Sequence, residues 1–296
     1  MTDDADKQQK WEESQSDHIV LYDALDGIAT ITMNRPEYHN AQNGRMTYLL
    51  DAAFRRAVAD DDVKVIVLKG AGKHFSAGHD IGTPGRDVHL PQDRAGMWYD
   101  HSNKEGGEFL YVREAEAYLG MCRRWRDVPK PTIAAVQGAC IAGGLMLAWV
   151  CDLIVATEDA FFSDPVVRMG IPGVEYFAHP FELHPRIAKE FLFTGDRMSA
   201  ERAYQMGMVN RVSTRETLDA DVTALATRIA EMPRLGLALT KQSINNIEDL
   251  QGKRTGMEAA FAWHHFTHAH NELVTGHKLG GQTAKSMADR NKQDAS

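Results

Sequence analysis

The sequence predicts an α/β protein with a helical C-terminal region. Three observations carry that reading. Through the first two-thirds of the chain, short β-branched runs alternate with helically patterned segments, as in βαβ units. Two runs, 63–70 and 130–138, are near-continuous apolar stretches of strand length, as expected of strands covered on both faces. From Pro180 onward the pattern is almost wholly helical.

Taken in order, the first 17 residues, MTDDADKQQKWEESQSD, are polar and lack the apolar stretch of a signal peptide, so they read as a loose tail. Residues 18–34 hold two β-prone stretches around Asp26-Gly27, a dipeptide suited to a tight hairpin. Pro36 ends the second stretch. Over 40–59, Met46, Leu49, Leu50, Ala53, Phe54 and Val58 recur at helical spacing. VKVIVLKG follows as a buried strand. Between 82 and 107 the pattern dissolves into Gly, Pro, Asp and His, which predicts a mobile loop or an irregular short helix. A helix follows over 108–125, then the buried strand KPTIAAVQG. Gly143-Gly144 open another helix, and DLIVATEDAFFSD returns to strand. SAERAYQMGMVNRV and LATRIAEMPRLGLALTKQSIN are amphipathic. The division this predicts is a tail over 1–17, a core over 18–210 and a helical region over 211–296.

Composition narrows the function. The chain has 296 residues, 43% hydrophobic and 25% charged, enough for one large core. A net charge of −8 repels nucleic acid and anionic membranes, so neither partner is expected. The longest apolar stretch, 132–156, is interrupted by Gln137, Gly138, Gly143, Gly144 and Asp152. It reads as a buried strand feeding a buried helix, not as a membrane span. Cys122, Cys140 and Cys151 are odd in number and form no C-x-x-C pair. They read as buried free thiols in a reducing, cytoplasmic setting. His264 and His268 stand at i, i+4, a spacing that can bind metal. Without a glutamate as in H-E-x-x-H they read as an exposed helical face or a subunit interface, and no metal is expected.

The chemistry should lie at two turns. HFSAGHD, 74–80, follows the strand 63–70, and ACIAGGLML, 139–147, follows the strand 130–138. Each puts glycine just past a strand's C-terminal end, where α/β sheets bind ligands. Amide N–H groups at such turns and at a helix N-terminus are free to donate. Two of them aimed at one oxygen make an oxyanion hole. Losing one such donor costs about 10²–10³ in rate.

The two turns, with MNRPEYHNAQN, KPTIAAVQGACIAGGLMLAWVCDLIVATEDAFFSDPVVRMGIPG, FLFTGDRMSAERAYQMGMVNRV and LALTKQSIN, resemble the crotonase superfamily of enoyl-CoA hydratases and isomerases over residues 19–246. The resemblance implies a crotonase-like spiral of ββα repeats and a homo-oligomer, trimer or dimer of trimers, with C-terminal helices packing across subunits. It implies an acyl-CoA or enoyl-CoA substrate, no cofactor beyond the coenzyme A of that substrate, and a stabilised thioester enolate. The oxyanion donors would be the N–H groups of His79 and Gly143. Ala77, Asp80 and Ile81 would border the nucleotide and pantetheine path, with Tyr38 and Ala41 near the adenine end. Ala139, Ala142, Met146, Pro165, Val166 and Met169 would complete the substrate-binding set. Arg35, Lys73 and Lys130 are either phosphate contacts or ordinary solvated cations.

The pattern breaks at the proton-transfer groups. Hydratases of this family use two glutamates, and the matching positions here are Met146 and Val166, neither of which can move a proton. Glu175, just after GIPG, is the main replacement candidate, followed by Asp164. The His79 imidazole, Asp100 and His101 are further candidates. Hydration, isomerisation and hydrolysis through the same enolate stay open, as does a non-catalytic acyl-CoA binder.

Overall fold

The structure is a computed structural model. It describes residues 16–81, 87, 90, 92–96 and 98–280. Most of the predicted tail and part of the 82–107 segment lie outside these residues.

β1 (Val20–Leu25) and β2 (Ile28–Met33) form the hairpin, with Asp26 and Gly27 both at positive φ (50° and 80°). A two-residue turn with both φ positive matches the twist of the strands it joins. β3 (Val65–Gly70), β4 (Thr132–Val136), β6 (Leu153–Thr157) and β9 (Arg211–Ser213) add in parallel, in the order β1-β2-β3-β4-β6-β9. α1 (Gly44–Ala59) is capped by Asn43, whose side chain accepts from the Met46 amide at 2.9 Å. It buries Met46, Leu50, Phe54 and Ala57, with Phe54 stacked on Trp125. On the other face, α8 (Leu218–Ala230) packs Leu218, Val222 and Leu225 against Val65, Val67, Ile133 and Val155. Cover on both faces is why these strands are apolar throughout.

The spiral comes from a second set of short pieces. β5 (Ala139–Ile141) pairs in parallel with β7 (Phe161–Ser163), and β8 (Met198–Ser199) closes that sheet. Cys140 in turn bridges Ser76, and His79 bridges Gln42. Each time the chain leaves the large sheet it lays an extended piece beside the previous one. That stacking sets the turn at 77–79 against the turn at 141–143.

Three features differ from the sequence reading. The helix expected over 108–125 is α2 (Gly106–Glu114), a widened π turn (Ala115–Gly120) and α3 (Met121–Arg126). A β-carbon on Gly120 would lie 2.7 Å from the Ala115 carbonyl, so only glycine closes that turn. The segment 152–164 is two strands in different sheets, β6 and β7. β8 and β9 are strands of two and three residues inside a stretch read as helical.

After α4 (Gly143–Trp149) and a 3₁₀ turn (Pro165–Met169), the chain continues through α5 (His179–Glu182), α6 (Pro185–Thr194) and α7 (Ala200–Gln205). It ends in α9 (Arg234–Leu250) and α10 (Lys253–Thr275). Among the described residues no helix is long and apolar enough to cross a membrane. Cys122, Cys140 and Cys151 are free and buried, and burial pushes the Cys151 thiol up to about 12.

Candidate active site

The paired glycines have separate reasons to lack a side chain. A β-carbon on Gly144 would sit 2.5 Å from the Ser76 carbonyl, where the two turns pack back to back. One on Gly143 would sit 2.6 Å from Cε1 and 2.7 Å from Nδ1 of His79, so the space over Gly143 belongs to an imidazole. Gly78, at φ +95°, brings the first turn so close that its β-carbon would lie 3.1 Å from the Gly143 nitrogen. Ala142, which caps α4, holds φ 48°, ψ −112°, a conformation rare for a residue with a side chain. Gly143 is the first residue of α4, so its N–H lies outside the helical ladder. Among the described residues nothing accepts a hydrogen bond from the amide of Gly143 or from that of His79.

The His79 side chain lies flat on Tyr118, ring centroids 3.7 Å apart at 14°. Its Nε2 is 3.1 Å from Glu175 Oε2. Its Nδ1 is buried and has no hydrogen-bond partner among the described residues. Glu175 is 4% exposed. Burial pushes its carboxyl up, but the charge and hydrogen bond of His79, aided by His264, outweigh burial and hold it well below the usual carboxylate range.

Two side chains set Glu175 in place. Asp164, fully buried, accepts from the amides of Val166 (3.4 Å) and Val174 (3.2 Å) and meets His179 Nε2 at 2.9 Å. His264 donates from Nδ1 to the Gly173 carbonyl at 2.8 Å. Asp164 therefore clamps the turn that presents Glu175, and its hydrogen-bond partners do not include the His79–Glu175 pair.

Met146 is 1% exposed and Val166 half-buried, and both belong to the main hydrophobic core, Val166 packed against its edge. Ala139, Pro165 and Met169 are buried, Ala142 half-buried. Tyr38, Ala41 and Ala77 are half-buried and Ile81 exposed. Two cation expectations are corrected. Arg35 is completely buried: its guanidinium lies over the Tyr38 ring, donates to the Ala41 carbonyl at 2.6 Å and pairs with Asp80 at 3.0 Å. Lys130 is buried and donates to the carbonyls of Ala57 and Asp60 at 2.7 and 2.5 Å. Neither is a solvated cation facing a phosphate; Lys73 is exposed. Asp100 is exposed and lies 3.5 Å from Arg94, while His101 is buried edge-on to Phe109.

His264 and His268 are a third correction. They are 5% and 7% exposed and do not form an outer face. They belong to the inward stripe of α10, with Met257, Phe261 and Asn271. Their Nε2 atoms lie 3.0 Å apart, and Glu114 Oε2 lies 3.6 Å from that of His264. Tyr118 and Glu114, brought in by α2 and the π turn, are site residues the sequence did not reveal. The one local sign is their i, i+4 spacing.

Comparison with known proteins places the chain in a family. The enoyl-CoA hydratase/isomerase family matches residues 23–279. The Mycobacterium tuberculosis protein designated enoyl-CoA hydratase EchA13 is 42% identical over 277 residues, 90% of this chain and 86% of that one. A 4-chlorobenzoyl coenzyme A dehalogenase of Arthrobacter is 34% identical, covering 78% of this chain and 79% of its own. The crystal structure of a probable enoyl-CoA hydratase from Mycobacterium thermoresistibile superposes with a TM-score of 0.80 at 50% identity, over 88% of this chain and 99% of that one. With the spiral, the stacked glycine turns and these matches in agreement, the chain belongs to the enoyl-CoA hydratase/isomerase family and has the crotonase fold.

Proposed function

We propose that this protein binds an enoyl-CoA thioester and moves a proton beside the thioester carbonyl, shifting the carbon–carbon double bond. In this reading the His79 and Gly143 amides hold the carbonyl oxygen as it gains enolate charge. The single observation that carries the reaction type is the His79–Glu175 contact of 3.1 Å beside Gly143. Ionised Glu175 takes the Nε2 proton of His79 as a hydrogen bond and fixes the tautomer. The bare Nδ1 is then the base, as in hydrolases whose carboxylate orients an imidazole. One base that takes a proton from one carbon and returns it to another suffices for isomerisation. Hydration must in addition place and activate a water, and Met146 and Val166 stand where that pair of carboxylates would be.

Hydration by the same dyad is the second reading, favoured by the hydratase designations of the relatives. A homo-oligomer is part of the proposal. α9 buries only Lys241 in the monomer and leaves Leu235, Leu239, Ile244, Ile247 and Leu250 at 51–87% exposure. α10 adds Trp263, Phe266 and Leu273. Apolar surface of this extent on two adjacent helices is suited to a second copy.

The test is a panel of 2-enoyl- and 3-enoyl-CoA thioesters, followed by absorbance and by deuterium uptake from D₂O, with His79→Ala and Glu175→Gln beside the wild type. His79→Ala keeps the amide and removes the ring, so it separates main-chain from side-chain roles. A fall in kcat of about 10²–10⁴ for His79→Ala is expected. Undiminished activity in both variants refutes the dyad. Binding of acyl-CoA with no turnover makes the protein a binder.

A further inference from the structure

We infer a divalent transition-metal site made by Glu114, His264 and His268, of which Zn²⁺ is the natural occupant to test. All three are buried, and one ligand atom from each lies within 4.8 Å of the others. His264 Nδ1 is 2.8 Å from the Gly173 carbonyl, and His268 Nδ1 is 3.0 Å from that of Lys278. A carbonyl oxygen only accepts, so each Nδ1 carries the hydrogen. A neutral imidazole has one N–H, so both Nε2 atoms are bare lone pairs. They face each other at 3.0 Å inside the protein. Two lone pairs at that distance repel unless a proton or a cation lies between them.

A metal ion resolves the conflict. Two nitrogens held tetrahedrally at about 2.0–2.1 Å from zinc stand roughly 3.3 Å apart, close to the spacing found. The carboxylate of Glu114, 3.6 Å from His264 Nε2, supplies the third ligand. The set is two histidines and one carboxylate, a donor set that suits Zn²⁺ or Fe²⁺ and leaves a position open. Each histidine also donates its other ring N–H to a main-chain carbonyl, the arrangement that orients metal-bound imidazoles. The ligands sit on α10 and α2, so the ion would tie the last helix to the site wall. Neither His79 nor Glu175 is a ligand, but Glu175 Oε1 lies 3.8 Å from His264 Nε2, so the ion would sit beside the proposed dyad, and metal uptake is a readout separate from turnover.

The test uses the full chain without a histidine tag, stripped with chelator and titrated with Zn²⁺ by calorimetry. One equivalent with a Kd below micromolar and a raised Tm are expected. A Co²⁺ titration should give the visible spectrum of a low-coordinate nitrogen–oxygen site. His268→Gln and Glu114→Gln should each weaken Zn²⁺ at least 10-fold, while His270→Gln, on the exposed face of α10, leaves it unchanged. Failure of the stripped wild type to take up stoichiometric Zn²⁺ overturns the site and leaves a shared proton between the imidazoles. So does a folded His268→Gln that binds as the wild type does. If His268→Gln does not fold, the wild-type titrations decide alone.

Discussion

His79 Nε2 and Glu175 Oε2 meet at 3.1 Å across a separation of 96 residues. That contact holds the Glu175 carboxyl below its ordinary range, and stability should show it. Unfolded, a glutamate titrates near pH 4.3. Below that pH the unfolded chain binds a proton that the folded chain refuses, so the contribution is full above pH 4.3 and is lost as pH falls. Glu175→Gln should therefore flatten the decline of Tm between about pH 5 and 3, measured by scanning calorimetry. Identical slopes for variant and wild type would mean that the pair does not form in solution.

The two glycines should fail differently. In Gly144→Ala the new methyl meets a main-chain carbonyl at 2.5 Å, which cannot swing aside. A loss of about 1–3 kcal/mol in denaturant unfolding is expected. In Gly143→Ala the methyl meets the His79 ring, which can rotate away from Glu175. Activity should then fall more than stability. If Gly143→Ala is the less stable and the more active of the two, the assignment is reversed.

Arg35 and Asp80 form a buried pair, with side chains 0% and 6% exposed. Arg35→Ala removes a buried cation that pairs with Asp80 and donates to the Ala41 carbonyl, and should cost about 3–5 kcal/mol by urea unfolding. A change below 1 kcal/mol would show that water reaches Asp80.

The outward stripe of α9 is open to direct trial. Leu239→Glu with Ile247→Glu places two charges on the exposed face of a helix that buries only Lys241 within the monomer. Sedimentation velocity should show a shift toward monomer at unchanged helical content by circular dichroism. A wild type that sediments as a monomer at all concentrations removes the assembly from the proposal.

Much of the fold was legible because its signals are local. The runs 63–70 and 130–138 are uninterrupted, and a strand covered on both faces needs nothing else to be recognised. Gly143 and Gly144 announce a close approach by their identity alone. Strands as short as β8 and β9 carry no readable period. Arg35 and Lys130 misled because a cation in a sequence is a surface residue by default, and only coordinates reveal the carbonyls that hold it inside. The same default hid the inner stripe of α10. Met257, Phe261, His264, His268 and Asn271 follow a helical repeat, but histidine and asparagine score as polar and break the pattern. Glu175 stood out as an unexplained acid beside a turn, whereas its pairing with His79 is a long-range contact that no spacing encodes.

The grip of His264 on Gly173 gives the polypeptide a finishing stroke. The helix that steadies this region lies 91 residues further along the chain, so a chain with its whole spiral in place but without α10 lacks the anchor of the Glu175 loop. A stop codon or a protease nick just upstream of His264 should yield a protein that folds and does no chemistry.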